Sequence, residues 1–526
     1  MPPRPARAVL PLAALAALTA CGGSGSDTAT APPVTTPPAG RPTLVPTYRA
    51  SGHAAAGDVL VHLFEWRWAD VATECETVLG PAGYRAVQVS PPQESAVIAG
   101  FPWWQRYQPV SYSIAKSRSG TGAEFAAMVS RCKAAGVDVY ADAVLNHMTA
   151  GSGTGSNGTV YTKYSYPGTW AQGDFHASCA VNNYQDAANV QDCELVGLAD
   201  LNTGSASVRQ RLADYLVGLA RLGVAGFRLD AAKHIQPVEL DSVLTLAGRA
   251  LAAEGRPVPY YFAEVIDYGG EAVHATDYLG LNYTAGGAAD ITEFKVRGLS
   301  DKFANLGAQR VSDLKTFSQA NWGILPSDKA VIFLENHDTA RNTGFPDLSY
   351  RTPGPYRLGM VFLLGQPYGY PSVLSGYAFD RNTGYDAGPP SDAAGNTTAV
   401  SCPASLEAAA AGGWTCEHRD PVIRRMVGFR RAVAGTDVTY NWDDGQNGLA
   451  FSRGAKGFVA INRNAAAARV QTTSGLAAGD YCDVLAGGRA AGGGCAGTQV
   501  TVGAGGAVDL SVPAMTAVVL QAGVQP

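Results

Sequence analysis

Four short stretches of the chain gather carboxylates, imidazoles and amides. They read Asp142-Ala-Val-Leu-Asn146-His147, Arg228-Leu-Asp230 with Lys233 and His234 just beyond, Ala263-Glu264, and Glu335-Asn336-His337-Asp338. Paired carboxylates suit glycosidic bond cleavage: one attacks or stabilises the anomeric carbon, and the other protonates the leaving oxygen. A third can hold sugar hydroxyls. Arg228, two residues before Asp230, supplies a positive charge that favours an ionised nucleophile. The run Phe101-Pro102-Trp103-Trp104-Gln105-Arg106-Tyr107-Gln108 fits a sugar ligand, because flat rings stack on apolar sugar faces while amides take the hydroxyls. Each feature has a plainer reading. A carboxylate after a strand ordinarily caps the next helix, and an aromatic run ordinarily packs a core. Four such strand ends in one chain, two with Asn-His pairs, point instead to one assembled site.

Barrel strands would bring those ends together. From about Asp58, short apolar runs alternate with longer helical patterns: DVLVHLF, YRAVQVS, VDVYADAVL, AGFRLD, YYFAEV, AADITEF, AVIFLE and YPSVLS are strand-like. Between them, Val208, Leu212, Tyr215, Leu216, Leu219 and Leu222 recur at helical spacing, with Ser205 or Ser207 to cap the start and Gly223 after the end. Phe125, Met128, Val129 and Cys132 repeat the pattern before Gly136. This order predicts an α/β fold, a (β/α)8 TIM barrel over 51–147 and 201–433, whose strand C-termini converge on one face. A doubly wound sheet has similar periodicity, but no Gly-rich phosphate turn follows the first strand. Residues 148–200, rich in Gly, Ser, Asn and Tyr, are too long for a plain loop and read as an inserted irregular/β subdomain after strand 3. From 434 to 526 the helical pattern stops, and GLAFSRG, KGFVAINRN, YCDVL, TQVTVG and AVDLSV predict a C-terminal all-β domain, a Greek-key sandwich.

The 526 residues exceed one ordinary domain, and 62 Gly with 31 Pro imply extensive loops. A net charge of −5 is wrong for a protein that tracks nucleic-acid phosphates. No apolar run reaches the roughly 18 residues of a spanning helix. Residues 1–21 carry Arg4 and Arg7, a short apolar stretch and Leu18-Thr19-Ala20-Cys21, a signal peptide ending in a lipobox-like sequence. The expectation is export, either extracellular or as a surface lipoprotein anchored through Cys21, with 22–50 as a Gly/Ser/Thr/Pro-rich linker. Removing Cys21 leaves eight cysteines, an even number in an exported chain, so disulfides are expected; sequence alone leaves their pairing open. Zinc is disfavoured, since no two cysteines have the close spacing of a zinc knuckle.

Taken together, VHLFEWRW, GPAGYRAVQVSPPQE, WWQRYQPVSY, DAVLNHM, CELVGLADLN, GVAGFRLDAAKH, AEVIDYGGEA, FLENHD, GYPSVLS and CEHR resemble family 13 glycoside hydrolases, and within them the secreted α-amylases of animal and actinobacterial type. The likeness spans roughly residues 55–520. It implies retaining endo-hydrolysis of α-1,4-glucans. Nothing in the sequence demands an oligomer, and a monomer is expected. Asp230 would be the nucleophile, Glu264 the general acid and then base, and Asp338 the transition-state stabiliser. Trp103, Trp104, Tyr107 and Gln108 match a donor-side platform, Lys233 an acceptor-side contact, and His147, Arg228, His234 and His337 match residues that touch sugar or position the carboxylates.

The same resemblance implies a structural calcium between barrel and inserted subdomain. Asn146 and Asp200 match its side-chain ligands, and Gln191 and His234 match the positions that offer backbone carbonyls. It also implies disulfides 75–132, 179–193, 402–416 and 482–495. One position departs. Related animal enzymes bind chloride through an Arg, an Asn and a second basic residue. Arg228 and Asn336 match two of these, but Ser372 stands at the third. With one cation fewer, anion affinity falls, and the expectation is activity independent of chloride. A glucanotransferase or an exo-acting maltogenic enzyme shares the fold; the single C-terminal β-domain favours hydrolysis. A glucan-binding lipoprotein without catalysis could keep the aromatic platform and lose the carboxylates, whereas Asp230, Glu264 and Asp338 are all present.

Overall fold

A computed structural model describes residues 41–526. The signal peptide, Cys21 and linker residues 22–40 lie outside the described residues. Eight parallel strands close a barrel: β1 (Leu60–Leu63), β2 (Ala86–Val89), β3 (Asp138–Val144), β4 (Gly226–Asp230), β5 (Tyr260–Ala263), β6 (Ala289–Thr292), β7 (Ala330–Ile332) and β8 (Tyr370–Ser375). Each pairs with its sequence neighbours, and β8 returns to β1 with Leu60 opposite Ser372. All eight lie in the runs expected to be strands. The alternation of β with α forces this order, because a parallel strand can be reached only through a crossover.

The barrel interior is built in layers. Leu60, Ala86, Tyr140, Phe262, Val331 and Tyr370 form a separate buried apolar cluster. Two residues further along, six inward positions are polar, His62, Gln88, Asp142, Arg228, Glu264 and Ser372, while Phe333 after β7 stays apolar. Strand periodicity makes this switch possible without changing faces. Gly226 is needed beside the bulky Tyr140, since a Cβ there would lie 2.8 Å from its ring and 2.7 Å from the Tyr260 carbonyl.

Helices wrap the outside. The helix α1 (Gly122–Ala134) buries Phe125, Met128, Val129 and Cys132, and Thr121 with Glu124 forms its capping box. A short helix, α2 (Ala187–Asp192), belongs to the insertion. The stripe Val208, Leu212, Tyr215, Leu216 and Leu219 of α3 (Ala206–Arg221) is buried. Two details differ from expectation. Leu222 lies past the last turn and is exposed. Ser205 occupies the N-cap, yet its hydroxyl meets that of Ser207 at 3.0 Å and caps no helix amide.

Between β3 and α3 the chain makes its excursion. His147–Met148 pairs antiparallel with Ala199–Asp200, which ties the base of the excursion together. Cys179–Cys193 closes a loop within it, and the other bridges are Cys75–Cys132, Cys402–Cys416 and Cys482–Cys495.

After α4 (Pro237–Ala253), α5 (Pro353–Gly365) and α6 (Pro421–Ala432), the chain becomes all-β. One sheet runs β9 (Val438–Asp443), β10 (Gly448–Arg453), β11 (Gly457–Asn462) and finally β16 (Thr516–Gln521). The intervening strands pair as β12 (Ala468–Thr473) with β15 (Ala507–Val512), and as β13 (Gly479–Cys482) with β14 (Gln499–Val502). Strands β9, β12 and β16 were not among the expected runs. Leu449, Phe451, Val459, Ile461 and Val519 join the barrel's own core cluster, so the two parts share one apolar interior. Arg430 and Arg453 are buried there, donating to the carbonyls of Gly369 and Gly365, each at 2.6 Å. Among the described residues no helix is long and apolar enough to cross a membrane.

Candidate active site

The polar layer converges on Arg228. Its Nη1 donates to both oxygens of Asp142 at 2.8 and 2.9 Å and to Asp230 Oδ1 at 2.9 Å, and its Nη2 donates to Glu264 Oε1. These carboxylates come from β3, the end of β4 and the residue after β5. Register places them together: Arg228 is level with Asp142, and the Glu264 amide continues the ladder to the Leu229 carbonyl at 2.9 Å. Ala231 takes a left-handed conformation (φ 48°), sparsely populated for a residue with a Cβ, and its amide donates to Glu264 Oε2 at 3.0 Å.

Asp338 arrives differently, on a turn six residues past β7. The Asn336 side-chain oxygen accepts from the amides of Asp338 and Thr339 at 3.1 and 2.8 Å, which fixes the turn. Asp338 keeps 37 % of its side-chain surface, and His337 lies 3.4 Å from its carboxylate.

One guanidinium faces several carboxyl groups. Burial and the charges of Glu264 and Asp142 push Asp230 well above the usual carboxylate range, against the pull of Arg228. Enclosure and the Glu264 charge raise Asp338 to about 7. Asp142 is raised by burial, with Arg228 opposing. Arg228 therefore does not neutralise Asp230 alone, as its place in the sequence suggested; it is shared three ways. Like charges this close cannot all ionise together, so the cluster holds on to a proton in the neutral range. Burial holds His147 and His234 down to about 4 and His337 well below its ordinary value, so all three act as neutral hydrogen-bonding rings.

The aromatic run forms one wall. Tyr107 donates its hydroxyl to Asp142 at 3.0 Å, His337 stacks on its ring at 5.1 Å, and His147 Nε2 donates to its carbonyl at 2.9 Å. Trp103 and Trp104 are held by their indole nitrogens, to the Tyr385 carbonyl and the Asp386 carboxylate, both at 2.8 Å. Gln108 accepts from the Thr149 hydroxyl at 2.7 Å. Arg341 supports this wall from beneath, 4.7 Å from the Trp103 ring and donating to the His337 carbonyl at 2.6 Å. Its only sequence signal was its place three residues after Asp338. On the opposite side, Lys233 donates to the Ile266 carbonyl at 2.6 Å and pairs with Glu271.

The residues matched to calcium are adjacent. Asn146 accepts the Leu201 amide on its backbone, next to Asp200. The His234 ring donates to the Val190 carbonyl at 2.8 Å, beside Gln191 on α2. Gln191 uses its side chain elsewhere, donating to the Tyr278 hydroxyl at 3.1 Å, which leaves the backbone carbonyl as its contribution to a cation. Asp200 is buried; one oxygen bonds His176 at 2.7 Å and the other has no partner. That burial pushes Asp200 up to about 7. An unpartnered carboxylate oxygen beside an amide and backbone carbonyls fits a hard cation. Among the described residues no three His, Cys, Asp or Glu side chains gather as metal ligands, and a set with one carboxylate does not require it.

Arg228, Asn336 and Ser372 line one internal cavity with His62 and Gln88. Its volume of about 20 Å³ admits a water-sized occupant. The only guanidinium lining it is already bound to three carboxylates.

Residues 84–353 match the alpha amylase catalytic domain and residues 441–523 the alpha amylase C-terminal all-beta domain. The alpha-amylase of Tribolium castaneum is 44 % identical over 475 residues, 88 % of this chain and 92 % of that protein. That of Tenebrio molitor is 43 % identical, covering 87 % and 95 %. An alpha-amylase-related protein of Drosophila orena is 42 % identical, covering 85 % and 89 %. The structure is similar to that of alpha-amylase I from Eisenia fetida in complex with maltohexaose (TM-score 0.81, 35 % identity, 88 % of this chain and 97 % of that one). With both domains matched and relatives above 40 % identity along most of its length, the chain belongs to the alpha-amylase family of glycoside hydrolases.

Proposed function

We propose that the chain hydrolyses internal α-1,4 bonds of starch, glycogen and maltooligosaccharides with retention of configuration. The observation that carries this is one guanidinium bound at once to Asp230 and Glu264 on adjacent strands, with Asp338 at the neighbouring rim. Asp230 attacks the anomeric carbon as the bond to the leaving oxygen breaks, and Glu264 gives that oxygen its proton. Water then attacks the same carbon, returns a proton to Glu264 and frees Asp230. Asp338, the most open of the three, holds sugar hydroxyls, and the Trp103–Gln108 wall stacks the donor chain.

Asn146, Asp200 and the carbonyls of Gln191 and His234 would hold calcium, which would cross-link the insertion to the barrel. The cavity by Ser372 supports chloride-independent activity, since its cation is already spent on carboxylates. The protein would act as an exported monomer, held at the cell surface through Cys21.

The test follows iodine colour and reducing ends together on amylose, with Asp230→Asn as control. Fast colour loss with few reducing ends, absent in the control, is expected. Reducing ends appearing while colour persists would show exo-action, and colour loss without them a transferase.

A further inference from the structure

Residues 41–50, whose composition reads as the end of a linker, are docked onto the catalytic domain. They form neither helix nor strand. Pro42 and Pro46 favour an extended backbone at Arg41 and Val45, because a proline ring crowds a helical residue before it. Side chains at every third or fourth position then anchor this strap: Arg41, Leu44, Tyr48 and Ser51.

Its lower end is fixed at the base of the barrel. His53 stacks on the Tyr370 ring at 4.2 Å and meets Tyr260 edge-on at 4.8 Å, against the apolar layer. Ser51 donates to Asp290 of β6 at 2.6 Å, and Lys329, just before β7, donates to the Arg49 carbonyl at 2.9 Å. The same ammonium lies 5.0 Å from the Tyr48 ring. The strap then crosses the segment after β5. Arg49 lies 5.2 Å over the Tyr283 ring, and Leu44 and Val45 pass over Gly280. A Cβ at Gly280 would collide with the Val45 carbonyl oxygen and lie 3.2 Å from Leu44 Cβ, so the crossing requires glycine.

The upper end grips the insertion. The Arg41 guanidinium donates to the Ala187 carbonyl at 3.2 Å and to the Gln191 side-chain oxygen at 2.5 Å, and it pairs with the Asp192 carboxylate. One side chain thus holds both ends of α2, a helix of six residues that is too short to persist alone. Gln191 is gripped from two sides. Its amide nitrogen donates to the Tyr278 hydroxyl at 3.1 Å, and that hydroxyl donates to the Ile235 carbonyl at 2.8 Å. Gln191 and His234, the residue before Ile235, are the two positions matched to carbonyl ligands of calcium.

We infer that Arg41 is a positioning residue for the calcium-binding edge of the insertion, and that the strap of residues 41–51 slows escape of the ion. This rests on the calcium reading above. A cation held by two segments leaves when the segments part, which is a local opening. Here α2 must lift away from Asn146 and His234, which follow barrel strands. With the strap anchored at the base, that motion must also break the Arg41 contacts or drag Leu44 and Val45 off Gly280. Charge alone predicts the opposite sign. Asp192 answers the guanidinium, and removing Arg41 would leave that carboxylate free to attract the cation.

The experiment loads the full exported chain with calcium, mixes it with excess fluorescent calcium chelator and follows release by stopped flow. Arg41→Ala should release calcium about threefold to tenfold faster than wild type. Arg41→Lys keeps the charge but loses the planar fork, and should fall between the two. Gly280→Ala, whose added methyl meets the strap first, should speed release without altering Arg41. Unchanged or slower release from Arg41→Ala would overturn the assignment. So would a melting temperature lowered equally with and without calcium while release is unmoved, which marks a merely structural contact. A wild-type enzyme that binds no calcium would overturn the calcium reading and this inference with it, whereas equal release rates overturn the inference alone.

Discussion

Two layers of the barrel interior lie one pleat apart and could hardly differ more. Leu60, Ala86, Tyr140, Phe262, Val331 and Tyr370 fill the lower one with apolar and aromatic groups. The upper one holds His62, Gln88, Asp142, Arg228 and Glu264, all buried, with His62 Nε2 lacking any partner. The lower layer is what a folding chain prefers. The upper layer gathers like charges that repel and cost free energy to desolvate. The barrel tolerates the second because the same strands, in the same register, are already locked by the first. Stability and reactivity are separated along each strand by two residues.

The largest expected effect sharpens that separation. Asp230→Asn removes the nucleophile and should cut kcat about a thousandfold or more, measured by reducing-end release. It also removes one repelling charge, so thermal unfolding should move up or stay level. A fall in melting temperature would mean that the upper layer contributes to holding the barrel.

The converse change is Phe262→Ala. It empties a lower-layer position and should cost about 3–5 kcal/mol of stability, read by denaturant unfolding, while activity per folded molecule stays within about twofold. A large loss of kcat in the folded fraction would show that the layers are not separable.

A smaller effect concerns pH. Asp338 sits at about 7 in the folded chain, above its unfolded value. A raised carboxyl favours the folded state when protonated, so its penalty is absent below the unfolded value, grows as pH rises towards 7 and is constant above. Asp338→Asn should therefore raise the melting temperature at pH 8 more than at pH 4. The ionised form is the one that stabilises the transition state, so wild-type kcat/KM should fall as pH drops through about 7. An acid limb lying far below that pH would place another group in control.

The smallest effect is a null one. Replacing chloride by a non-coordinating anion at constant ionic strength should leave kcat unchanged, because Arg228 is already committed to three carboxylates. Activation by added chloride would show that the cavity by Ser372 still takes an anion.

Much of this was legible in the residues. Apolar runs of strand length, spaced by helical stripes, locate all eight barrel strands because both faces of each are buried. The carboxylates stand out because they end such runs. What escaped was set by long-range contact. Strand β9 is half-buried along its length and shows no clean alternation, and β12 mixes exposed and buried positions irregularly. Asp142 was visible at the end of a run, yet its hold on Arg228 depends on β3–β4 register, which no local pattern encodes. Arg341 lies on the short turn after Asp338, where periodicity says nothing. Ser205 had the right type and place for a cap, and a neighbouring hydroxyl drew its side chain away.

The shared interior of barrel and C-terminal sheet has a consequence for how the molecule comes apart. Leu449, Phe451, Val459, Ile461 and Val519 pack into the same cluster as the barrel helices, and Arg430 and Arg453 fasten carbonyls near the C-terminal end of α5. The sheet is thus no detachable appendage: stripping it away would bare the outer face of α5 and take Arg453 from the Gly365 carbonyl at the end of that helix. Heat should melt the two parts in a single calorimetric step, and a barrel expressed alone should aggregate rather than refold.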